Sequence, residues 1–147
     1  DLDPDPNRNL AKGRPATATG SQDVYTPGKA VDGDANSYWE STDNAFPQSW
    51  TVDLGASYAV RRLVLKLPPS TAWGPRTQTI TVLGSTDGTA YSTVVGAGDY
   101  RFDPATGNTA TVSLPASTGL RYLRLSVSAN TGWPAGQFSE VEAYLTS

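Results

Sequence analysis

Short runs of alternating side chains, separated by Gly, Pro, Asn and Asp, constrain this chain more than any other feature. Trp50, Val52 and Leu54 alternate with Thr51 and Asp53, and Leu63, Leu65 and Leu67 with Val64 and Lys66. Thr79, Thr81 and Leu83 alternate with Ile80 and Val82, while Ala110, Val112, Leu114 and Leu123, Leu125, Val127 repeat the pattern. A period of two places successive side chains on opposite faces of a strand, so each run can bury one face. No window carries the 3.6-residue period of an amphipathic helix. Asp-Gly at 32–33 and 87–88 and Pro-Ala at 104–105 and 115–116 stand between the runs, where turns belong. About eight short strands in one unit of ordinary domain size predict an all-β fold, an antiparallel jelly-roll β-sandwich. There is no internal repeat. The opening DLDPDPN resists helix and sheet, so residues 1–8 are expected to be a linker remnant and residues 9–147 a single domain.

Two absences narrow the chemistry. With no cysteine, disulfides and zinc-thiolate sites are excluded. With no histidine, the commonest general base and the commonest transition-metal ligand are gone, so any bound metal must be held by oxygen. A formal net charge of -3 argues against binding nucleic-acid phosphates, which needs a basic face. No apolar run is long enough to span a bilayer, and no signal-peptide pattern is present.

The stretch Asp32-Gly33-Asp34-Ala35-Asn36-Ser37 is rich in oxygen donors. Hard cations such as Ca²⁺ take six to eight oxygens, although this spacing does not fit an EF-hand. The residues alone leave two readings open, a cation loop or an Asp-Gly turn joining two strands.

Four motifs in order reach across the chain: AVDGDANSYWES, SWTVDLG at 49–55, STDG at 85–88 and SEVEAYL at 139–145. In this order they resemble the discoidin, or coagulation factor 5/8 type C, domain family, whose sugar-binding branch is carbohydrate-binding module family 32. The resemblance covers residues 9–145. It implies a galactose-binding-domain-like jelly roll whose ends lie close together. It also implies a structural Ca²⁺ held by the carbonyl of Lys29, the carboxylates of Asp32 and Asp34, Ser37 through hydroxyl and carbonyl, the carbonyl of Ser139, and the carboxylate of Glu140. Ser37 replaces the more usual threonine and keeps the hydroxyl. The bland reading of Glu140 is a solvated strand carboxylate.

Aromatic residues speak to function. Trp39 and Trp50 lie within the motifs and are expected in the core. Trp73 and Trp133 sit in Gly- and Pro-rich segments, 68–76 and 129–137, which read as loops. Exposed tryptophan faces stack on the C–H face of a pyranose, and Arg, Asn and Gln suit pairs of hydroxyls. Arg76, Asn130 and Gln137 stand beside the two tryptophans. The resemblance adds the residues just after the Trp39 motif, Glu40 and Asp43. The competing reading makes both tryptophans lids of the barrel end. Galactose-binding members commonly carry a His where this chain has Glu40, an Arg where it has Leu67-Pro68-Pro69, and Asn-Gly where it has Trp73-Gly74. The usual galactose constellation is absent, which favours a glucan.

The resulting expectation is a non-catalytic carbohydrate-binding module of a secreted bacterial glycoside hydrolase. It would be a monomeric, extracellular unit that binds a polysaccharide or oligosaccharide beside a catalytic domain in the same polypeptide. Nucleic acid and membrane are not expected partners. An enzymatic reading would use a carboxylate pair among Glu40, Asp43, Glu140 and Glu142. Two further readings are an adhesion domain for a glycoprotein or phospholipid surface and a galactose-type glycan binder.

Overall fold

The computed structural model describes residues 7–115 and 119–146. The linker expected over residues 1–8 therefore falls mostly outside the described residues, as does Ala116 of the second Pro-Ala turn. Every strand pair among the described residues is antiparallel.

A five-stranded sheet runs in the order β1-β3-β8-β5-β6, built from Ala16–Ala18, Gln48–Ala59, Gly119–Asn130, Arg76–Ser85 and Ser92–Phe102. A three-stranded sheet has β4 (Arg62–Lys66) between β10 (Glu140–Tyr144) and β7 (Thr109–Ser113). A two-residue ladder joins β2 (Trp39–Glu40) to β9 (Gln137–Phe138). Among the described residues, helix is confined to 3-10 turns at Pro27–Ala30 and Pro104–Thr106. This is the expected all-β jelly-roll sandwich.

The alternation sets the core. Trp50, Val52, Leu54, Ile80, Val82, Leu123, Leu125 and Val127 point inward from the larger sheet. Leu63, Leu65, Ala110, Val112, Val141 and Ala143 meet them from the smaller one, in a single buried cluster. In β5 the inward set is Ile80 and Val82, with Gln78 on the same face, while Leu83 is only half-buried. The strand β6 escaped the sequence pattern because it is an edge strand, with only Phe102 buried. The chain ends are tied together: Leu10 donates its N–H to the carbonyl of Ala143 at 2.9 Å, and Asn9 Oδ1 accepts from the Ala143 N–H at 3.0 Å. That clasp holds the start of the domain against β10, whose first residue is Glu140.

Trp39 and Trp50 are fully buried, as expected, and each indole N–H is satisfied, by the carbonyls of Gly20 and Pro27 at 3.1 and 3.0 Å. Phe138 stacks on Trp39 and meets Trp50 edge-on. Truncating Trp50 leaves a cavity and an orphaned carbonyl, so Trp50→Ala should cost about 3–5 kcal/mol in denaturant unfolding.

Candidate functional site

The β2–β9 ladder opposes Trp39 to Phe138 and Glu40 to Gln137. Because neighbours on a strand face opposite ways, the first pair enters the core while the second faces a cleft at one end of the sandwich. The cleft encloses about 190 Å³ and is lined by Tyr38, Glu40, Ala72, Trp73, Arg76, Trp133 and Gln137. Of the sugar-binding residues expected from the sequence, five line it: Trp73, Arg76, Trp133, Glu40 and Gln137. Asn130 and Asp43 stand behind the lining. Tyr38 is an addition.

Three aromatic rings form the walls. Tyr38 is stacked on Tyr25 at 4.5 Å and meets the edge of Trp73 at 4.6 Å and 82°. Trp73 is half-buried against the core, with the Arg76 guanidinium 5.0 Å from its ring centre. Trp133 remains 47% exposed. The two tryptophans thus differ: Trp73 is a braced wall and Trp133 an open flap of apolar surface.

The floor is a polar knot. Gln137 donates through Nε2 to Glu40 Oε1 at 3.0 Å, while its Oε1 accepts from Arg76 at 2.8 Å and from Asn130 at 3.2 Å. Its backbone N–H and C=O pair with the side chain of Gln78 at 3.0 and 2.9 Å. Arg76 also donates to the carbonyl of Gly74 at 3.1 Å. Asn130 braces the loop that carries Trp133, giving to Ala135 and accepting from Gly132 at 2.9 Å each. Gly132 is needed there, because a side chain would run into Arg76, whose Cβ lies 2.8 Å from the added carbon.

These contacts correct the local expectations. Arg76 opens β5, Asn130 ends β8 and Gln137 opens β9, so the two loops are shorter than their Gly and Pro content suggests. Arg76 is buried and spends hydrogen bonds on protein, so it orients the floor of the cleft.

Glu40 is only 5% exposed. Burial pushes its carboxyl above the ordinary value; the Gln137 hydrogen bond opposes this, and Asp43 adds to the rise. Burial works against the charge of Arg76, and Glu40 supports it. Burial and Tyr25 hold the Tyr38 phenol well up.

The oxygen-rich loop is ordered by its own side chains. Asp32 Oδ1 accepts from the Asp34 N–H and Asp34 Oδ1 from the Asn36 N–H, each at 2.9 Å. Ser37 Oγ donates to Asp32 Oδ2 and lies 3.2 Å from the Asp34 carbonyl. Gly33 takes a left-handed φ of 80°, as the Asp-Gly turn requires. Lys29 belongs to the preceding 3-10 turn. The fold carries Ser139 and Glu140 towards this loop: Asp32 raises the Glu140 pKa, and the Gly33 N–H lowers it. Ser139 Oγ and Glu140 Oε2 are buried without a hydrogen-bond partner. Among the described residues no three ligating acids close on one point. Asp32 and Glu140 interact, and Asp34 is engaged with Asn36. The donor set of carboxylates, hydroxyl and carbonyl, with the orphaned carboxylate oxygen of Glu140, fits a hard cation in chemistry.

Glu140 is buried, and desolvation foremost, with Asp32 and Glu142 adding, lifts its pKa from 4.5 to about 7. A carboxyl raised in the fold stabilises while protonated, and that stability is lost as the unfolded chain ionises first. In metal-free buffer the protein should therefore lose up to about 3 kcal/mol between pH 4.5 and 7 through this group. Glu140→Gln should flatten that part of the stability profile, measured by urea unfolding at each pH.

Residues 15–141 match the F5/8 type C domain family. No curated protein matches the chain in sequence. A chitosan-binding module 1 derived from a chitosanase/glucanase of Paenibacillus sp. IK-5 is 26% identical, with a TM-score of 0.72 over 94% of this chain and 99% of that one. Chitosan-binding module 2 from the same enzyme, solved with chitotriose, is 22% identical, with a TM-score of 0.73 over 92% and 99%. A family 32 carbohydrate-binding module from Clostridium perfringens, in complex with GalNAc-β-1,3-galactose, is 22% identical, with a TM-score of 0.77 over 93% and 99%.

Proposed function

The chain belongs to the F5/8 type C domain family, and on that premise we propose that it is a non-catalytic carbohydrate-binding module for a gluco-configured polysaccharide. The observation that carries this is the aromatic cleft. Tyr38, Trp73 and Trp133 wall a cavity whose floor is made of hydrogen-bonding side chains. Trp133 is one of three exposed large apolar side chains among the described residues, which suits a platform for the apolar face of a sugar ring. At about 190 Å³ the cleft is smaller than a typical drug-sized pocket, so it takes one ring, at or near a chain end. The preference for a gluco-type ring rests on this chain's own residues, which carry Glu40, Leu67-Pro68-Pro69 and Trp73-Gly74 in place of the usual galactose constellation.

Binding through one ring is weak, and attachment to a catalytic domain in the same polypeptide would supply effective concentration on an insoluble substrate. The proposal includes secretion by a bacterium as part of such a glycoside hydrolase. Trp73→Ala and Trp133→Ala should each lower affinity for soluble gluco-oligosaccharides by about 2 kcal/mol. Trp133→Ala should leave the melting temperature unchanged, whereas Trp73→Ala, being braced by Tyr38 and Arg76, should also lower it. Normal binding by both variants in isothermal titration calorimetry would place the sugar site elsewhere.

We also propose that Lys29, Asp32, Asp34, Ser37, Ser139 and Glu140 hold a structural Ca²⁺, through the carbonyl, carboxylate and hydroxyl oxygens named above. The ion would supply positive charge to the buried Glu140 oxygen and staple the loop to β10. The orphaned carboxylate oxygen of Glu140 supports this reading. Calcium at a hundredfold excess over its dissociation constant should add about 2.7 kcal/mol of stability, and a chelator should remove it. Identical melting curves with Ca²⁺ and with chelator would contradict the assignment.

A further inference from the structure

This acidic chain gathers cations at one place. Arg8, Lys12 and Arg14 fall within a single short segment, and no acid occurs between Asp5 and Asp23. With Asn9, Leu10 and Gly13 they line a second cleft of about 370 Å³, which shares no residue with the aromatic one. The turn that forms it is held from several sides. Asn9 Oδ1 accepts from the Ala11 and Ala143 N–H groups at 3.0 Å each, and Gly13 donates to the carbonyl of Val31 at 2.7 Å. Lys12 and Arg14 lie across glycines: a carbon added to Gly33 would meet Lys12 Cε at 2.9 Å, and one added to Gly55 would meet Arg14 Nη1 at 2.7 Å.

All three cations are exposed, and among the described residues none donates a side-chain hydrogen bond or joins an ion pair. The acids around them are engaged elsewhere. Asp53 is held below its ordinary pKa by Arg121 foremost, through bonds of 2.8 and 3.0 Å, with Arg14 acting only at longer range. Asp32 and Asp34, in the loop that Lys12 crosses, accept from that loop's own N–H and hydroxyl groups. Asp1, Asp3 and Asp5 lie outside the described residues. Three like charges on one fixed turn repel each other, and an anion between them would relieve that repulsion.

We propose that Arg8, Lys12 and Arg14 form a site for a dianionic phosphate group, separate from the aromatic cleft and independent of its reading. A phosphate monoester carries about -1.5 to -2 charges at neutral pH and three acceptor oxygens, a match for three cationic donors. The two planar guanidiniums can each take a pair of oxygens, and Lys12 adds a point charge. A carboxylate brings one charge and two oxygens, which leaves a cation unmatched. No aromatic ring lines this cleft, so it recognises the anionic group and not a sugar face. The phosphate is either a free ion or an ester on a larger molecule, since the three cations offer the same chemistry to both.

The test is a ¹H–¹⁵N titration of the whole chain, metal-free and at low salt, with inorganic phosphate, glycerol 3-phosphate and acetate. Phosphate should give saturable shifts on the amides of residues 8–14 and leave the Trp73 and Trp133 indole signals in place. Lys12→Gln and Arg14→Gln should each weaken phosphate binding roughly threefold to fivefold, the order of one partly exposed charge pair. Added salt should weaken it further. Both side chains are exposed, so the variants should keep the parent melting curve. Binding of inorganic phosphate alone would identify a free ion, and binding of both phosphates an esterified group; either supports the site. Shifts that do not saturate, or that persist undiminished in both variants, would overturn it. Acetate binding as tightly as phosphate would overturn the choice of ligand.

Discussion

The site depends on a two-residue ladder. Trp39 and Glu40 pair with Phe138 and Gln137, and the alternation of the strand sends one residue pair into the core and the other to the surface cleft. Trp39 and Phe138 are both fully buried and stacked, so the register of this short ladder is fixed by apolar burial. A slip by one residue would exchange the tryptophan for the glutamate. The ladder continues towards Ser41, whose N–H meets the Gly136 carbonyl and whose hydroxyl accepts from the Gly136 N–H. Beyond Phe138 the chain passes directly to Ser139 and Glu140, the residues turned to the oxygen-rich loop. One stretch of backbone therefore positions both the aromatic cleft and the proposed calcium ligands.

Gln137 holds the cleft floor in one arrangement. Its amide is shared among Glu40, Arg76 and Asn130, and its backbone is clamped by Gln78. Buried polar groups are costly when unpartnered, so a network of this kind is rigid only when complete. The knot explains why Arg76, beside a tryptophan in sequence, acts as a brace. It also explains why Glu40 can be kept nearly buried: Gln137 supplies a donor to a carboxylate that burial alone would push towards its neutral form.

Much of the fold was legible in the sequence, because a half-buried antiparallel strand writes its burial into every second residue. The runs at 50–54, 63–67, 110–114 and 123–127 all bury the alternating set that their apolar residues mark. The edge strand β6 buries almost nothing and leaves no such record. Trp39 and Trp50 read as core and are core, whereas Trp73 is intermediate, half wall and half packing. Tyr38 was missed although its signal was present: it stands one residue before a core tryptophan and one period from Glu40, on the side that faces out. Gln78 was hidden for a different reason. A buried glutamine inside a strand looks like any polar residue until its partner, 59 positions away, is known.

Everything proposed for the cleft requires that a sugar enter between the loop tryptophans. The four indole N–H resonances of the protein report this directly in a ¹H–¹⁵N titration, since two lie in the core and two at the cleft. With chitotriose as the probe, the Trp73 and Trp133 indoles should show saturable shifts while Trp39 and Trp50 stay in place. Saturable binding that leaves the Trp73 and Trp133 signals unmoved would contradict a sugar site in this cleft.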